Sequence, residues 1–118
     1  MAEQKHPNLV FVFPDEYRKQ AMGFMNEDPV ITPNLDAFAK ESLVLTQALS
    51  NRPVCSPYRA MLFSGKYPHG NGVLTNCNSR TVQFENYLKD TERCFSDVLH
   101  DLGYCQGYLG KLHLDPPN

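Results

Sequence analysis

The sequence has 118 residues, of which 42% are hydrophobic and 20% are charged, and its formal net charge is −2. This length can bury one modest hydrophobic core. The charge gives no basic surface for a nucleic-acid partner, and the longest apolar run, residues 9–13, is too short to span a membrane. The first eight residues lack the apolar stretch of a signal peptide, so the sequence as it stands predicts a cytoplasmic protein, or a periplasmic or secreted one if a leader has been removed.

Three apolar segments predict strands. Residues 9–13, LVFVF, form a continuous apolar run that ends at Pro14, as in strands that are buried on both faces of a sheet. Residues 43–49, LVLTQAL, and residues 104–110, YCQGYLG, predict the second and third strands.

Three helices are predicted among these strands. Residues 32–42, TPNLDAFAKES, carry a proline near the first helical position, which favours a helix start. The segment from Cys55 has residues 60–63 as its helical body and Gly65 as its stop. In residues 94–103 apolar side chains recur with helical spacing before a terminal glycine. The alternation predicts a layered α/β sandwich, with a largely parallel sheet flanked by helices.

Polar residues that could carry chemistry follow each predicted strand. Asp15 comes soon after the first strand, and Cys55 comes a few residues after the second. Lys111 and His113 follow the third. Because the loops at the carboxyl ends of parallel strands build the site in such folds, we expect these residues at one edge of the sheet.

Asp15 and Glu16 are adjacent carboxylates, which are oxygen ligands suited to a hard divalent cation such as calcium or magnesium. The alternative is a solvated acidic turn. Lys111 and His113 are two residues apart in a segment predicted to be extended, so both side chains can point to the same face. Together they could hold an anion and protonate a leaving oxygen, or simply occupy a surface loop.

Cys55 lies at the N-terminus of a predicted helix, with Pro57 in the first turn. A helix N-terminus favours anions, and the Arg59 guanidinium one turn along can bind two oxygens at once. The alternative is a buried structural cysteine beside a surface arginine. The four cysteines include no C-x-x-C pair, which argues against a structural zinc site.

Four segments resemble motifs of the type I sulfatases, of the alkaline-phosphatase-like superfamily, and they occur in that family's order. CSPYRAMLFSGKYP, residues 55–68, resembles the C-x-P-x-R signature. PNLVFVFPDE, residues 7–16, resembles the opening strand with its acidic metal ligands. TPNLDAFAKES resembles the family's T-P-N-L-D helix, and residues 102–114, LGYCQGYLGKLHL, resemble its G-K-W-H segment.

The resemblance implies a sulfatase that hydrolyses sulfate monoesters of a sulfated small molecule or carbohydrate. Cys55 would be oxidised by a formylglycine-generating enzyme to formylglycine, whose hydrate attacks the sulfur. Asp15, Glu16 and Cys55 would bind calcium, or alternatively magnesium. Arg59 would stabilise the modified residue, while Lys111 and His113 would contact the sulfate and its leaving oxygen.

Members of that family are several times longer, and further metal and sulfate ligands come from later segments. The resemblance therefore predicts that residues 1–118 are the N-terminal part of a sulfatase catalytic domain, incomplete and with little or no activity alone. Two other hypotheses remain open. One is a metal-dependent phosphoester or phosphonate hydrolase of the same superfamily, and the other is a non-catalytic binding or scaffold remnant in which Cys55 is never modified.

Overall fold

A computed structural model of the protein describes residues 6–116. The α-helices in this range are Pro33–Lys40 (α1), Cys55–Ser64 (α2), Pro68–Asn71 (α3) and Phe95–Asp101 (α4). Short 3₁₀ turns occupy Lys19–Ala21, Gly23–Met25 and Val82–Phe84. Of the helices described, none has the length and apolar character needed to cross a bilayer. The chain divides into two compact units, Met1–Gln47 and Ala48–Asn118.

The predicted strands do not form: residues 9–13, 43–49 and 104–110 contain no strand, and neither does any other part of 6–116. The predicted parallel sheet is therefore not visible in the part of the chain that the structure describes. An apolar run indicates what a segment would pack against, whereas a strand requires a second backbone to pair with its N–H and C=O groups. The side chains of Val10 and Leu109 are 86% and 98% exposed.

In the unit Met1–Gln47, α1 is held by polar side chains at its start. Pro33 is the first helical residue, as predicted, where its missing N–H costs nothing. The Thr32 hydroxyl accepts a hydrogen bond from the Gly23 N–H at 2.7 Å and donates to Asp36 at 2.7 Å. Asp36 also accepts from the Phe24 N–H at 2.9 Å, so one 3₁₀ turn is bound to the helix start.

In the unit Ala48–Asn118, a small core forms around α2. Ala60, Val73, Cys77 and Leu114 are buried together, and Phe63 packs against them. Phe63 also stacks on Phe95 of α4, with ring centroids 5.0 Å apart.

The predicted helix ends in this unit are confirmed. Gly65 follows α2 at a φ of 68°, and Gly103 lies two residues beyond α4 at a φ of 83°. Residues other than glycine rarely adopt such angles, which explains why both helices stop where they do. The core thus fixes α2, the helix that begins with Cys55.

Candidate active site

Cys55 is the first residue of α2 and is half-buried. Val54 precedes it in an extended conformation, and Pro57 is fully buried in the first turn. Proline fits this turn because its nitrogen would find no partner within the helix. The sequence therefore predicted correctly that Cys55 lies at the start of a helix.

Ser56 connects the start of α2 to two other segments. Its hydroxyl donates to the His113 carbonyl at 2.7 Å and accepts from the Cys77 N–H at 3.0 Å. Its own N–H donates to Asn76 Oδ1 at 3.0 Å. Because Asn76 takes this N–H, the first turn is capped by a side chain from a distant loop, and the Ser56 amide is not left over for an anion.

Arg59 is buried, at 4% exposure, and the alternative of a surface arginine is thereby excluded. Its guanidinium donates to the backbone carbonyl of Lys111 and to the Tyr108 hydroxyl, the latter at 3.4 Å. Tyr108 itself donates to the same Lys111 carbonyl at 2.6 Å. A buried charge is stable only when it is hydrogen-bonded, so Arg59 holds the Lys111 backbone against α2.

His113 adopts a φ of 57°, which is unfavourable for a residue with a side chain. The structure compensates with two contacts: Ser56 binds its carbonyl, and its ring Nε2 lies 3.0 Å from the Cys77 carbonyl. Together with the Arg59 contact, these bonds bring the Lys111–His113 segment to α2.

In the other unit, Asp15 and Glu16 form an exposed turn, and Glu16 has a φ of 53°. Both side chains carry carboxylate oxygens, the donor type that calcium and magnesium prefer. This donor set fits a hard divalent cation.

Two of the remaining cysteines, Cys77 and Cys94, have thiols whose pKa is raised. Burial raises the pKa of the Cys77 thiol, against a smaller lowering by the Ser56 hydrogen bond. Burial, followed by the charges of Asp97 and Glu92, raises the pKa of Cys94. A raised pKa leaves less thiolate at neutral pH. All four cysteines are free thiols.

Sequence reasoning overlooked Ser56, Asn76, Cys77 and Tyr108, which make most of the contacts just described. Ser56 carried a signal, since a serine inside a helix often binds a backbone group nearby. Nothing in the sequence pairs Asn76 or Cys77 with α2, because they lie 20 and 21 residues, respectively, beyond Ser56.

In this site a Cys-x-Pro-x-Arg helix is bound through its polar side chains to a Gly-Lys-x-His segment, and both motifs resemble those of the sulfatases. Comparison with family models agrees with this. Residues 7–118 match the model described as Sulfatase, and the chain belongs to that family.

Curated relatives carry the same name. The chain is 50% identical over 130 residues to the Endo-4-O-sulfatase of Bacteroides thetaiotaomicron, a match that covers 99% of this chain and 25% of that protein. It is 40% identical over 113 residues to an Ulvan-active sulfatase of Formosa agariphila, covering 96% and 20% of the two chains. The chain thus spans a quarter or less of the length of these relatives.

Solved structures agree at the level of the backbone. A crystal structure of yidJ from Bacteroides fragilis matches with a TM-score of 0.93 and 48% identity, covering 100% of this chain and 26% of that one. A structure from work on glycosaminoglycan metabolism by Bacteroides thetaiotaomicron matches with a TM-score of 0.89 and 49% identity, covering 96% and 25%. The path of this chain is therefore that of the corresponding part of those proteins.

Proposed function

We propose that the protein hydrolyses sulfate monoesters and that Cys55 is the precursor of its nucleophile, formylglycine. The observation that carries the proposal is the position of Cys55 at the start of α2, within a family-specific motif whose Arg59 is buried and bound to the Lys111 backbone. A sulfate monoester is a stable anion, so its cleavage requires positive charge at the oxygens and a placed nucleophile.

Each residue has a distinct role in this proposal. The hydrate of the formylglycine at position 55 would supply the hydroxyl that attacks sulfur and displaces the alcohol, and its second hydroxyl would then help to eject sulfate and regenerate the aldehyde. Lys111 brings a positive charge to the sulfate oxygens, and His113 exchanges a proton with the reacting group. Arg59 holds the backbone of this segment in place and adds positive charge near position 55.

Asp15, Glu16 and Cys55 are the proposed ligands of a divalent cation. Calcium is the first choice because carboxylate oxygens are hard donors, and magnesium is the alternative. When bound, the cation would neutralise negative charge on the sulfate. Removal of the metal by a chelator should abolish turnover, and added calcium should restore it more fully than added magnesium.

The proposed substrate class is a sulfated carbohydrate. Support comes from the names of relatives, which include the Endo-4-O-sulfatase and an N-acetylglucosamine-6-O-sulfatase of Bacteroides thetaiotaomicron, the latter 29% identical. A formylglycine-generating enzyme is the proposed partner in maturation. Because the chain spans a quarter or less of such relatives, residues 1–118 are proposed to be the N-terminal part of the catalytic domain, with little or no turnover alone.

The first test is mass spectrometry of the protein that the complete gene encodes, purified from its native host. We expect the peptide containing Cys55 to carry an aldehyde or its hydrate in place of the thiol. Sulfate release from sulfated saccharides should follow, and phosphate esters should be poor substrates.

A matched pair of variants tests the role of Cys55. Cys55→Ala should remove sulfate release, whereas Cys105→Ala, which alters an exposed free thiol, should leave it unchanged. An unmodified Cys55 together with full activity of Cys55→Ala would refute the proposal. Phosphate release in preference to sulfate release would favour the phosphoester hydrolase instead.

A further inference from the structure

We propose that Ser56 is a positioning residue that acts through His113, and that Nδ1 is the working nitrogen of that histidine. This inference rests on the proposed function, because it assigns a geometry to the same site. It concerns residues of the unit Ala48–Asn118 alone.

The first observation is that the Ser56 hydroxyl both donates and accepts a hydrogen bond. Its side chain is fully buried, and its hydroxyl donates to the His113 carbonyl while accepting from the Cys77 N–H. A hydroxyl offers one donor, so the direction of both bonds is fixed. Ser56 therefore joins the residue next to Cys55 to the backbone of His113 and of Cys77.

The second observation is the tautomer of His113. Its Nε2 lies 3.0 Å from the Cys77 carbonyl, and a carbonyl can only accept. Nε2 must therefore carry the hydrogen, which leaves the lone pair of the neutral ring on Nδ1. Cys77 thus binds Ser56 through its N–H and His113 through its carbonyl.

The third observation is that Nδ1 of His113 is buried and has no hydrogen-bond partner among the residues described. A buried polar atom without a partner is costly, so such an atom indicates a partner supplied from elsewhere. The hydroxyl of the modified residue 55 has suitable chemistry, because it can donate to the Nδ1 lone pair, whereas a bound sulfate ester could only accept from Nδ1 once the ring has been protonated. Proton exchange at Nδ1 would then leave the Nε2–H bond to Cys77 intact, and the ring would become imidazolium.

The backbone of His113 shows why a positioning residue is needed. Its φ of 57° is disfavoured, and the peptide carbonyl that Ser56 binds belongs to this same residue. Without the hydroxyl, the backbone can relax and turn the ring away from the Cys77 carbonyl. Loss of Ser56 should therefore change the orientation of His113 rather than the affinity for substrate.

The test compares three variants of the protein that the complete gene encodes. Ser56→Ala removes the hydroxyl, and Ser56→Thr restores it. Ser64→Ala is the matched control, because it removes a partly buried hydroxyl from the other end of the same helix, where it donates to the Ala60 carbonyl. Formylglycine content is measured by mass spectrometry in each variant, and kcat is expressed per modified site.

With 4-nitrophenyl sulfate as the probe, we expect Ser56→Ala to lower kcat by at least about tenfold and to change KM by less than about twofold. Ser56→Thr should recover most of the lost kcat, and Ser64→Ala should stay within about twofold of the parent. Equal kcat for Ser56→Ala and the parent, or equal losses in Ser56→Ala and Ser64→Ala, would overturn the inference.

A second measurement does not depend on activity. Nitrogen-15 NMR of histidine-labelled protein, with His113→Gln to assign the signals, should show the neutral ring of His113 protonated at Nε2. Ser56→Ala should shift the signals toward a mixture of tautomers. A ring protonated at Nδ1 in the parent would overturn the inference even if sulfate is released. Absence of sulfate release by the parent would count against the proposed function, while the NMR result would still decide the assignment of Nδ1.

Discussion

Helices α1 and α2 both begin at family motifs with proline in the first turn, yet they are stabilised differently. No residue of α1 is buried, and Thr32, which precedes the helix, and Asp36 within it bind backbone N–H groups of a neighbouring turn. Four residues of α2 are buried, and two of them, Ser56 and Arg59, are polar. These two bind backbone carbonyls of the Lys111–His113 segment.

The difference shows how a motif can fix a site. A buried polar side chain is costly unless each hydrogen-bonding group is satisfied, so it tolerates few alternative arrangements. Partly exposed contacts such as those at the start of α1 add stability but allow solvent to take a partner's place more easily. We therefore expect substitutions in α2 to lower the free energy of unfolding more than matched substitutions around α1.

The largest effect is expected for Arg59→Ala. This change leaves the Lys111 carbonyl with fewer donors and opens a cavity beside α2, so the free energy of unfolding should fall by about 2–4 kcal/mol. The free energy of unfolding of Arg59→Lys should lie between those of the parent and Arg59→Ala, because an ammonium keeps the charge but cannot reproduce the planar fork of the guanidinium. Urea denaturation measures both, and unchanged stability of Arg59→Ala would show that the arginine does not brace the helix.

A smaller loss is expected for Gly23→Ala, which tests the packing around α1. A β-carbon at this position would lie 2.8 Å from Thr32 Oγ1 and 2.9 Å from the carboxylate oxygens of Asp36. These atoms are hydrogen-bonded and cannot withdraw freely, so we expect a loss of about 1–3 kcal/mol. Gly70→Ala is the control: its nearest neighbour is Lys66 Cβ at 3.6 Å, an ordinary contact, and thermal unfolding should be little changed.

Asp36→Ala should lower the free energy of unfolding by about 1–2 kcal/mol, since the carboxylate is only partly buried. This loss is smaller than the one expected for Arg59→Ala. Asp36→Asn keeps an oxygen that can accept from the Phe24 N–H and should recover part of the loss. Hydrogen exchange of the Phe24 amide reports the contact directly. If that amide exchanges equally fast in the parent and in Asp36→Ala, the bond does not stabilise the turn.

The smallest effect concerns alkaline pH. Because burial raises the pKa of the Cys77 thiol above its ordinary value of 9.0, the unfolded chain loses this proton at a lower pH than the folded chain does. The effect of Cys77 ionisation on the free energy of unfolding is absent well below pH 9, and it becomes destabilising as the pH rises past 9.

Cys77→Ala should therefore weaken the fall in the free energy of unfolding above pH 9. Cys94 should leave a residual slope, since its pKa is raised as well. Cys105→Ala is the control, and a change of slope in this variant equal to that in Cys77→Ala would contradict the assignment. Urea denaturation at a series of pH values supplies the measurement.

The sequence by itself determined the family and the starts and stops of the main helices. Those features depend on local chemistry, such as proline in a first turn or glycine at a positive φ, and on motifs whose order is preserved.

Only the tertiary structure decided which polar residues are buried and which apolar runs find partners. The sequence does not distinguish a buried arginine such as Arg59 from one at the surface. Residues 9–13 have the composition of a strand but do not form one. Likewise, Ser56, Cys77 and His113 meet across separations of 21 to 57 residues. The physical reason is that burial and backbone pairing depend on segments distant in the chain, and no local pattern specifies them.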